Sequence, residues 1–563
     1  MNKDPMKIFW RHPVHLIWIF IAYLPLLWCL SIPMTGDQKT YISIAQEMWE
    51  RGEWLRPYLF GEPSYLKPPF QYWMTLISWN VFGFNLFATF FPSLLALVGT
   101  SWFLSEIASS LGERRWYVNA GLWFACSIGA LTYATSAQMD IYVCLFYAAA
   151  WWAGLKFLEP WDDTRNTRWL YLAFAIAGLS ALVKSPLYSV LWVFGYISYL
   201  VISGEWLLFK NKNLYLALLF GTILGLAWFV GMAVTDQERF LTQYWLQEQA
   251  NKGHNGGKLK TIWLPLLYLA APFTLLVLTS LRSVILGRKT NSIMRFVVAW
   301  SWPPALFFSF FPYKTSLYLF ILVPAFAVLA DWGSFRASRT RTFKWAARIT
   351  GILLFLALGL GALTLYRSEF IQVWLALALA FAGLAAMLVA WMGWMRVFSF
   401  CVLSCILFFR IGSVELMRPD VTSLKALLGS DLRSHRVAML DESKNIWHEI
   451  GLWSVVIATP MKRLYDLDDM IDHLSQGGIL ILSDDEMEKY QLTMETFLRT
   501  RGYELSYETW KRFKRRTKIP IKELIFKGRS GVPDFDERMT RKYQVIRIKP
   551  VMATFSFSAE SGV

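Results

Sequence analysis

Apolar residues along this chain occur in long blocks that short polar segments separate. The block over 14–33 contains no Lys, Arg, Asp or Glu, and another uncharged block covers 352–365. Helices of about twenty apolar residues match the roughly 30 Å hydrocarbon core of a bilayer. Because such blocks recur about thirteen times, the pattern predicts a polytopic α-helical membrane protein. The predicted spans are 14–33, 86–109, 116–133, 139–158, 169–183, 187–202, 214–234, 262–281, 296–311, 317–331, 345–366, 370–392 and 397–411.

The segment 68–84 has a different pattern. It is apolar enough for a span, but it contains Pro68, Pro69, Asn80 and Gly83. Counting it as a span would also break the alternation of basic and non-basic loops along the chain. We therefore predict a helix that lies on the membrane surface.

Basic residues in the short loops predict the orientation, since cytoplasmic loops carry an excess of Lys and Arg. With thirteen spans, the basic loops fall on the side of the N-terminus, and the long polar segments 34–85 and 235–260 face outward. The tail from Ser413 then also faces outward. The basic loops contain Arg114 and Arg115; Lys156, Arg165 and Arg168; Lys210 and Lys212; Arg282, Arg288, Lys289 and Arg295; and Arg336, Arg339, Arg341, Lys344 and Arg348.

The tail has the pattern of a soluble domain. Short strands are predicted at 436–440, 454–458 and 478–482, and helices at 466–474 and 485–500. Strands that alternate with helices are typical of a small α/β domain. The predicted organisation is therefore a membrane domain over 1–412 and a soluble α/β domain over 413–563.

Composition and charge narrow the class of partner. Of the 563 residues, 55% are hydrophobic and 17% are charged, whereas soluble domains contain about a quarter charged residues. Most of the net charge of +16 arises in the membrane half, where residues 1–412 carry 32 basic and 18 acidic side chains, a balance of +14. We predict membrane lipids and no nucleic acid among the partners, because the soluble part lacks a basic stripe.

Ionisable residues are nearly absent from the centres of the predicted spans and gather at their outer ends. Charged groups deep in a membrane are costly and usually functional, so this distribution favours a site at the membrane surface. Asp37 follows the first span and precedes an amphipathic stretch at 41–54. Asp37 either caps that helix or acts as a general base at the bilayer surface.

The next polar motif is Tyr65-Leu66-Lys67-Pro68-Pro69. Two consecutive prolines fix an extended turn, which would hold Lys67 rigidly in front of the aromatic segment that follows. Alternatively, the Lys67 side chain extends to the lipid headgroups.

Further candidates lie at other predicted outer turns. Asp140 opens a span and is either a helix cap or a second carboxylate of the site. Lys184 and the pair Tyr313-Lys314 lie in short outer turns, where converging lysines would hold a phosphate as point charges. His254 lies in the second long outer segment and is either a ligand or a solvated loop residue.

In this order along the chain, the motifs resemble a large bacterial family that includes the aminoarabinose transferases of lipid A and relatives of the protein O-mannosyltransferases. Family members share an acidic residue after the first span, a Lys-Pro-Pro turn, a second Asp, a Lys-Gly-Pro turn and a later lysine-rich turn. The matching positions here are Asp37, Lys67-Pro68-Pro69, Asp140, Lys184-Ser185-Pro186 and Lys314. The resemblance implies a GT-C fold with an outward-facing soluble tail.

Three positions depart from the family pattern. Gln38 follows Asp37 in place of Glu, Leu66 replaces the Glu before the Lys-Pro-Pro turn, and Gln249 follows Glu248 in place of His. In the aminoarabinose transferases that Glu and His resemble a metal site. A zinc site needs carboxylate, imidazole or thiolate ligands, so we predict no metal and no other cofactor.

The resemblance also implies a reaction. The donor is a sugar on a polyprenyl phosphate, and transfer is a single inverting displacement. Asp37 acts as a base on the acceptor or orients it, and Lys67 binds the departing phosphate with help from Lys184 and Lys314. The expected catalytic residues are Asp37 and Asp140, and the expected substrate-binding residues are Tyr65, Lys67, Lys184, His254, Tyr313 and Lys314.

The sequence leaves open two acceptors for a transferase and one alternative activity. The first expectation is lipid A or a related envelope glycolipid, and the second is the Ser or Thr of a protein. The third is a flippase or transporter, which should show buried charge and an inverted repeat, and the sequence shows neither. The expected location is the bacterial inner membrane, with the active site and tail domain on the periplasmic side.

Overall fold

The structure is a computed structural model. It describes residues 13–28, 36–111, 120–159, 165–250, 263–286, 292–311, 316–336, 340–369 and 371–393, and in the tail 402, 404, 424, 426–428, 437–440, 454, 458–464, 466–513, 534 and 540–550. The first part is a bundle of helices, and the second is a small mixed sheet with two helices.

Seventeen α-helices are described before the tail. They are α1 Pro13–Tyr23, α2 Gly36–Arg51, α3 Phe70–Phe82, α4 Leu86–Leu111, α5 Ala120–Ala125, α6 Ile128–Ala134, α7 Asp140–Leu158, α8 Thr167–Leu179, α9 Pro186–Ser203, α10 Lys212–Thr235, α11 Gln237–Phe240, α12 Trp263–Leu269, α13 Thr274–Leu286, α14 Ser292–Phe310, α15 Val323–Arg336, α16 Arg341–Arg367 and α17 Val373–Met392. A two-stranded hairpin, β1 Tyr58–Leu59 and β2 Glu62–Pro63, lies between α2 and α3, and a π-helix covers Leu241–Ala250.

Seven described helices are long and apolar enough to cross a membrane: α4, α7, α9, α10, α14, α16 and α17. The pair α12 and α13 adds an eighth candidate, although it bends by 111° at its break. Shorter apolar helices cover His15–Leu27, Thr167–Leu182 and Tyr318–Ser334, where the sequence also predicted spans. The prediction of a polytopic helical protein is confirmed. The predicted span 116–133 contains the short helices α5 and α6, and 397–411 lies almost wholly outside the described residues.

The predicted surface helix is present as α3, which has 13 residues and follows Pro69. The proline ring fixes φ and lacks an N–H, so it is compatible with the start of a helix. At about 1.5 Å per residue, α3 is too short to cross the roughly 30 Å core. Its bounds are therefore compatible with the predicted position on the membrane surface.

Glycines bring α8 and α10 into close contact. A Cβ atom on Gly178 would lie 1.9 Å from the carbonyl oxygen of Gly221, and one on Gly221 would lie 2.2 Å from that of Phe174. Small residues allow membrane helices to approach closely, which increases van der Waals contact. This contact fixes α8 just before the turn that carries Lys184.

The described elements of the tail are β3 Val437–Leu440, β4 Lys462–Leu464, α18 Leu467–Ser475, β5 Ile479–Ser483, α19 Asp484–Thr500, β6 Tyr503–Phe513 and β7 Thr540–Pro550. The strands form a five-stranded sheet of order β4-β3-β5-β7-β6. Strand β3 pairs in parallel with β4 and β5, whereas β7 is antiparallel to both β5 and β6. The predicted α/β character of the tail is confirmed.

The strand predicted at 454–458 lies mostly outside the described residues. Ser454 is helical, 455–457 lie outside the described residues, and the strand that pairs with β3 is Lys462–Leu464. The backbone N–H of Thr459 donates to the Ser454 carbonyl at 3.0 Å, and that of Met461 donates to the Ser454 hydroxyl at 3.0 Å. These two hydrogen bonds form a turn that leads into β4.

Both faces of strand β3 are buried. Along β3, Ala438 and Leu440 pack with helices α18 and α19, whereas Val437 and Met439 belong to the hydrophobic core of the membrane domain. Alternate residues of a strand point to opposite faces, so this division follows from the two-residue period. The tail sheet therefore packs directly against the membrane domain.

Candidate active site

Helix α2 carries the first predicted catalytic residue. The helix begins at Gly36, so Asp37 lies in its first turn rather than at the N-cap position, and its side chain is exposed. A carboxylate in the first turn is stabilised by the helix dipole. Beyond its first turn α2 is buried on all sides over 41–48, including Ile42, Ala45 and Met48. The packing of this buried part holds the exposed Asp37 at a fixed position.

Tyr41 lies one helical turn after Asp37 and is buried against Tyr72, with ring centroids 6.2 Å apart. Burial raises the pKa of Tyr41 well above its usual value, and the nearby charges of Asp37 and Asp140 raise it further. Both predicted catalytic carboxylates therefore lie close enough to act on one buried phenol, although they are about a hundred residues apart in sequence.

Tyr65 joins the first outer segment to the second. Its backbone N–H donates to Oε1 of Gln243 at 2.7 Å, and its hydroxyl donates to Oδ2 of Asp236 at 3.0 Å. Burial and the hydrogen bond to Asp236 raise the pKa of Tyr65 to about 12, so the phenol stays protonated and continues to donate. The sequence analysis predicted that Tyr65 binds the substrate. In the structure its two hydrogen bonds, to Gln243 and Asp236, fix the loop that leads to Lys67.

Lys67 follows two residues later and forms an ion pair with Glu248 on the π-helix. The side chains of both residues are mostly buried, at 12% and 13% exposure. Pro68 and Pro69 are buried behind Lys67, so the lysine stands on a rigid support at the start of α3. This pair holds the two long outer segments together and places a cation where they meet.

Asp140 and Lys184 form a second buried ion pair. Nζ of Lys184 lies 2.6 Å from Oδ1 of Asp140, and their side chains are 10% and 8% exposed. The lysine also lies 5.7 Å from the ring centroids of Tyr188 and Tyr318. Asp140 opens α7, and Lys184 lies in the turn before α9. The two turns that the sequence proposed for one site are therefore in direct contact.

The turn that carries Lys184 is shaped by its neighbours in sequence. The Ser185 hydroxyl caps α9 by accepting a hydrogen bond from the Leu187 N–H at 3.3 Å, and Pro186 occupies the first helical turn. Ala181 and Leu182, just before Lys184, belong to one buried hydrophobic cluster with Tyr65 and with Tyr244 of the π-helix. The segment that holds Glu248 thus contacts the segment that holds Lys184, so the four outer segments meet at one end of the bundle.

His254, Tyr313 and Lys314 lie outside the described residues, as does the side chain of Gln249. Their assignment to the site remains a prediction. Within the described ranges, no three His, Cys, Asp or Glu side chains form a group able to hold a metal ion.

Several residues of this site were not found by sequence reasoning. Tyr41 had a signal, because a residue four positions after Asp37 lies on the same helical face. Asp236 and Gln243 had none, since their partner Tyr65 is more than 170 residues away. Contacts of this kind depend on the tertiary fold and are not visible in local pattern.

Known proteins resemble the chain over the same region. The family model of dolichyl-phosphate-mannose-protein mannosyltransferases matches residues 66–230, which contain Lys67, Asp140 and Lys184. The undecaprenyl phosphate-alpha-4-amino-4-deoxy-L-arabinose arabinosyl transferase of Pseudomonas aeruginosa (strain LESB58) is 25% identical over 375 residues. That match covers 63% of this chain and 67% of the relative. The protein of the same name from Pectobacterium atrosepticum is 24% identical, over 82% of this chain and 85% of the relative.

A solved structure shares the fold. The crystal structure of ArnT from Cupriavidus metallidurans bound to undecaprenyl phosphate matches with a TM-score of 0.68 at 16% identity. The match covers 95% of this chain and 98% of that chain. These comparisons confirm the predicted resemblance to this glycosyltransferase family and the predicted GT-C architecture with a C-terminal domain.

Proposed function

We propose that this chain is a glycosyltransferase that moves a sugar from a polyprenyl phosphate to an envelope acceptor, with lipid A or a related glycolipid as the first candidate. The observation that carries the proposal is that the segments bearing Asp37, Lys67 and the Asp140–Lys184 pair meet at one end of a membrane-embedded bundle. Helix α3, which follows Lys67, contacts α2 through Tyr72 and Tyr41 and contacts α7 through Phe70 and Tyr142. The relatives from Pseudomonas and Pectobacterium are named for transfer from undecaprenyl phosphate, which supports this class of donor.

The proposed reaction is one inverting displacement. An oxygen of the acceptor attacks the anomeric carbon while the bond between that carbon and the phosphate oxygen breaks. The electron pair of the broken bond leaves with the polyprenyl phosphate. If the attacking group is a hydroxyl, its proton passes to the Asp37 carboxylate; if it is a phosphate, Asp37 orients it.

The lysines stabilise the leaving group. Negative charge grows on the phosphate as the glycosidic bond breaks, and fixed cations in a partly dry site lower the energy of that state. Lys67 and Lys184 are both held by carboxylates, so each ammonium is fixed in position before substrate arrives. The donor phosphate would share Lys67 with Glu248 or displace it.

An apolar groove beside this site suits the polyprenyl chain. It has a volume of about 610 Å³ between α9 and α14, and its walls include Leu187, Phe194, Trp302 and Phe310. At one end of the groove, Leu187 lies three residues after Lys184. Phe311 also lines the groove, and three residues before it the ring of Phe308 stacks on Tyr318, with ring centroids 4.7 Å apart. A lipid tail in this groove would therefore place its phosphate near Lys184.

Protein glycosylation is the second candidate. The family model that matches 66–230 is described by transfer of mannose to protein, and this match supports a protein acceptor. The site chemistry is the same for both acceptors, because each supplies an attacking oxygen.

The proposal places the protein in the bacterial inner membrane with its active site on the periplasmic face. Mass spectrometry of envelope lipids from a deletion strain tests the acceptor. We expect a sugar-bearing lipid species to disappear and to return with the wild-type gene. Unchanged lipids together with the loss of a glycosylated protein would favour the protein acceptor, and no change in either fraction would contradict both.

A further inference from the structure

A buried ion pair joins the tail domain to the helix that carries Asp37. Nη1 of Arg463, on strand β4, lies 2.9 Å from Oε1 of Glu47 on α2, and Nη2 of Arg463 donates to the Ser43 carbonyl at 3.0 Å. The two side chains are only 6% and 4% exposed. Arg463 thus contacts both a side chain and the backbone of α2. The forked guanidinium can make these two contacts at once in a fixed geometry, which an ammonium cannot.

The same Glu47 carboxylate holds the hairpin between α2 and the Lys67 turn. Its Oε1 accepts the Phe60 N–H at 2.8 Å, and its Oε2 accepts the Gly61 N–H at 2.9 Å. Phe60 and Gly61 are the two turn residues between the paired strands, with φ angles of 57° and 78°. Two positive φ angles define the type I′ hairpin turn, and Gly favours this conformation whereas Phe does not. The carboxylate therefore stabilises a turn that the sequence alone disfavours.

Glu47 is consequently the junction of three segments. Helix α2 carries Asp37 in its first turn, and the hairpin leads within six residues to Lys67. Strand β4 belongs to the tail sheet, whose inner face packs on the membrane domain. A carboxylate that receives two N–H groups and one arginine is fully satisfied in its buried position. If the arginine is removed, the carboxylate remains buried with its charge uncompensated, which is strongly unfavourable.

We propose that Arg463 is a positioning residue, through which the tail domain fixes the spacing between the acceptor-activating Asp37 and the phosphate-binding Lys67. This inference rests on the proposed function. It gives the tail domain a role in the reaction, although none of its described residues carries the transfer chemistry. Small displacements of reacting groups, on the order of 1 Å, can lower a rate by about a hundredfold.

The test compares full-length variants in detergent. Arg463→Met removes the charge and both contacts, and Arg463→Lys keeps the charge but loses the fork. Lys462→Met, at the exposed neighbouring position on β4, is the matched control. Hydrogen exchange of residues 36–63, measured without substrate, reports whether the Arg463–Glu47 contact stabilises α2 and the hairpin. Initial rates with a polyprenyl-phosphate sugar then separate kcat from KM.

For Arg463→Met we expect faster exchange in 36–63, unchanged exchange in α16 and α17, and a fall in kcat of about tenfold or more with KM for the donor changed less. Arg463→Lys should recover part of kcat, and Lys462→Met should match the wild type. Should Arg463→Met not fold, Arg463→Lys and Glu47→Gln provide the same comparison.

Unchanged exchange in 36–63 of Arg463→Met would show that the Arg463–Glu47 contact does not stabilise α2 and the hairpin, and would overturn the proposal. Faster exchange with wild-type kcat and KM would overturn the role of Arg463 in positioning. Absence of any transfer by the wild type would instead contradict the proposed function. The exchange result would then still show whether Arg463 stabilises α2 and the hairpin.

Discussion

At the scale of residues, the site is built from charges of opposite sign held in pairs. Lys67 pairs with Glu248, Lys184 with Asp140 and Arg463 with Glu47, and all six side chains are largely buried. A buried pair adds little net stability because desolvation offsets the attraction, but the loss of one partner is costly. Such pairs fix positions, which is what a site for a charged leaving group requires.

The Lys67–Glu248 pair leads to a first prediction. In the proposed mechanism Lys67 meets the departing phosphate, so Lys67→Ala should lower kcat by roughly a hundredfold or more. Glu248→Gln keeps a hydrogen-bonding group near Lys67 and removes only the competing charge, so its loss should be much smaller. Initial rates of sugar transfer measure both. Equal losses in the two variants would mean that the pair is structural and that Lys67 does not stabilise the phosphate.

The absence of good metal ligands at two positions leads to a second prediction. Leu66 and Gln249 replace the Glu and His of the aminoarabinose transferases, and neither is a good zinc ligand. In the proposed mechanism lysines alone meet the phosphate charge, so enzyme treated with a chelator should keep its activity. The assay is transfer before and after chelation and dialysis. Activity that is lost to chelator and restored by zinc would contradict this prediction and would point to His254 as a ligand.

At the scale of elements, the long apolar helices and the Lys-Pro-Pro start of α3 could be predicted from the sequence, since each has a strong local signal. Strands β6 and β7 were missed, although Tyr503, Leu505 and Tyr507 alternate with polar residues in the two-residue period of a strand. The ion pairs could not be predicted in detail. Lys184 and Asp140 are 44 residues apart, and only the packing of α7 against α9 and its neighbours brings them together.

The close contact between α8 and α10 leads to a third prediction. Gly221→Ala would place a methyl group 2.2 Å from the backbone oxygen of Phe174, so the helices would have to separate. We expect a loss of about 1–3 kcal/mol in stability, as for other overpacked cores. Gly231→Ala on the same helix is the control, because nothing lies within 4 Å of its added carbon. Thermal unfolding in detergent measures both variants. If the two lose equally, the helix contact is not as close as described.

At the scale of the whole molecule, the tail lies on the same side of the membrane domain as the candidate site, because Arg463 contacts α2. The basic loops predicted that this side faces outward. The packing of the tail sheet on the membrane domain could not be predicted from the sequence, since it requires the three-dimensional arrangement of β3 and β5.

The orientation leads to a fourth prediction. A phosphatase that is active only in the periplasm, fused after Val563, should be active, and a reporter that works only in the cytoplasm should be silent at the same position. Both fusions are measured in whole cells, with expression checked by immunoblot. The reverse pattern would place Asp37 and Lys67 in the cytoplasm and would contradict the proposed location of the site.

The central claim is that this chain transfers a sugar from a polyprenyl phosphate with Asp37 as an essential group. The most direct measurement compares purified wild type with Asp37→Asn, supplied with undecaprenyl-phosphate aminoarabinose and lipid A and followed by mass spectrometry of the lipid A. The amide keeps the size of the side chain but cannot accept a proton at neutral pH, so folding should be preserved while the rate falls by about a hundredfold or more. We predict sugar-bearing lipid A with the wild type and almost none with Asp37→Asn. Equal product with both proteins would contradict the role of Asp37, and no transfer by the wild type from this or any other polyprenyl-phosphate sugar would contradict the proposed activity itself.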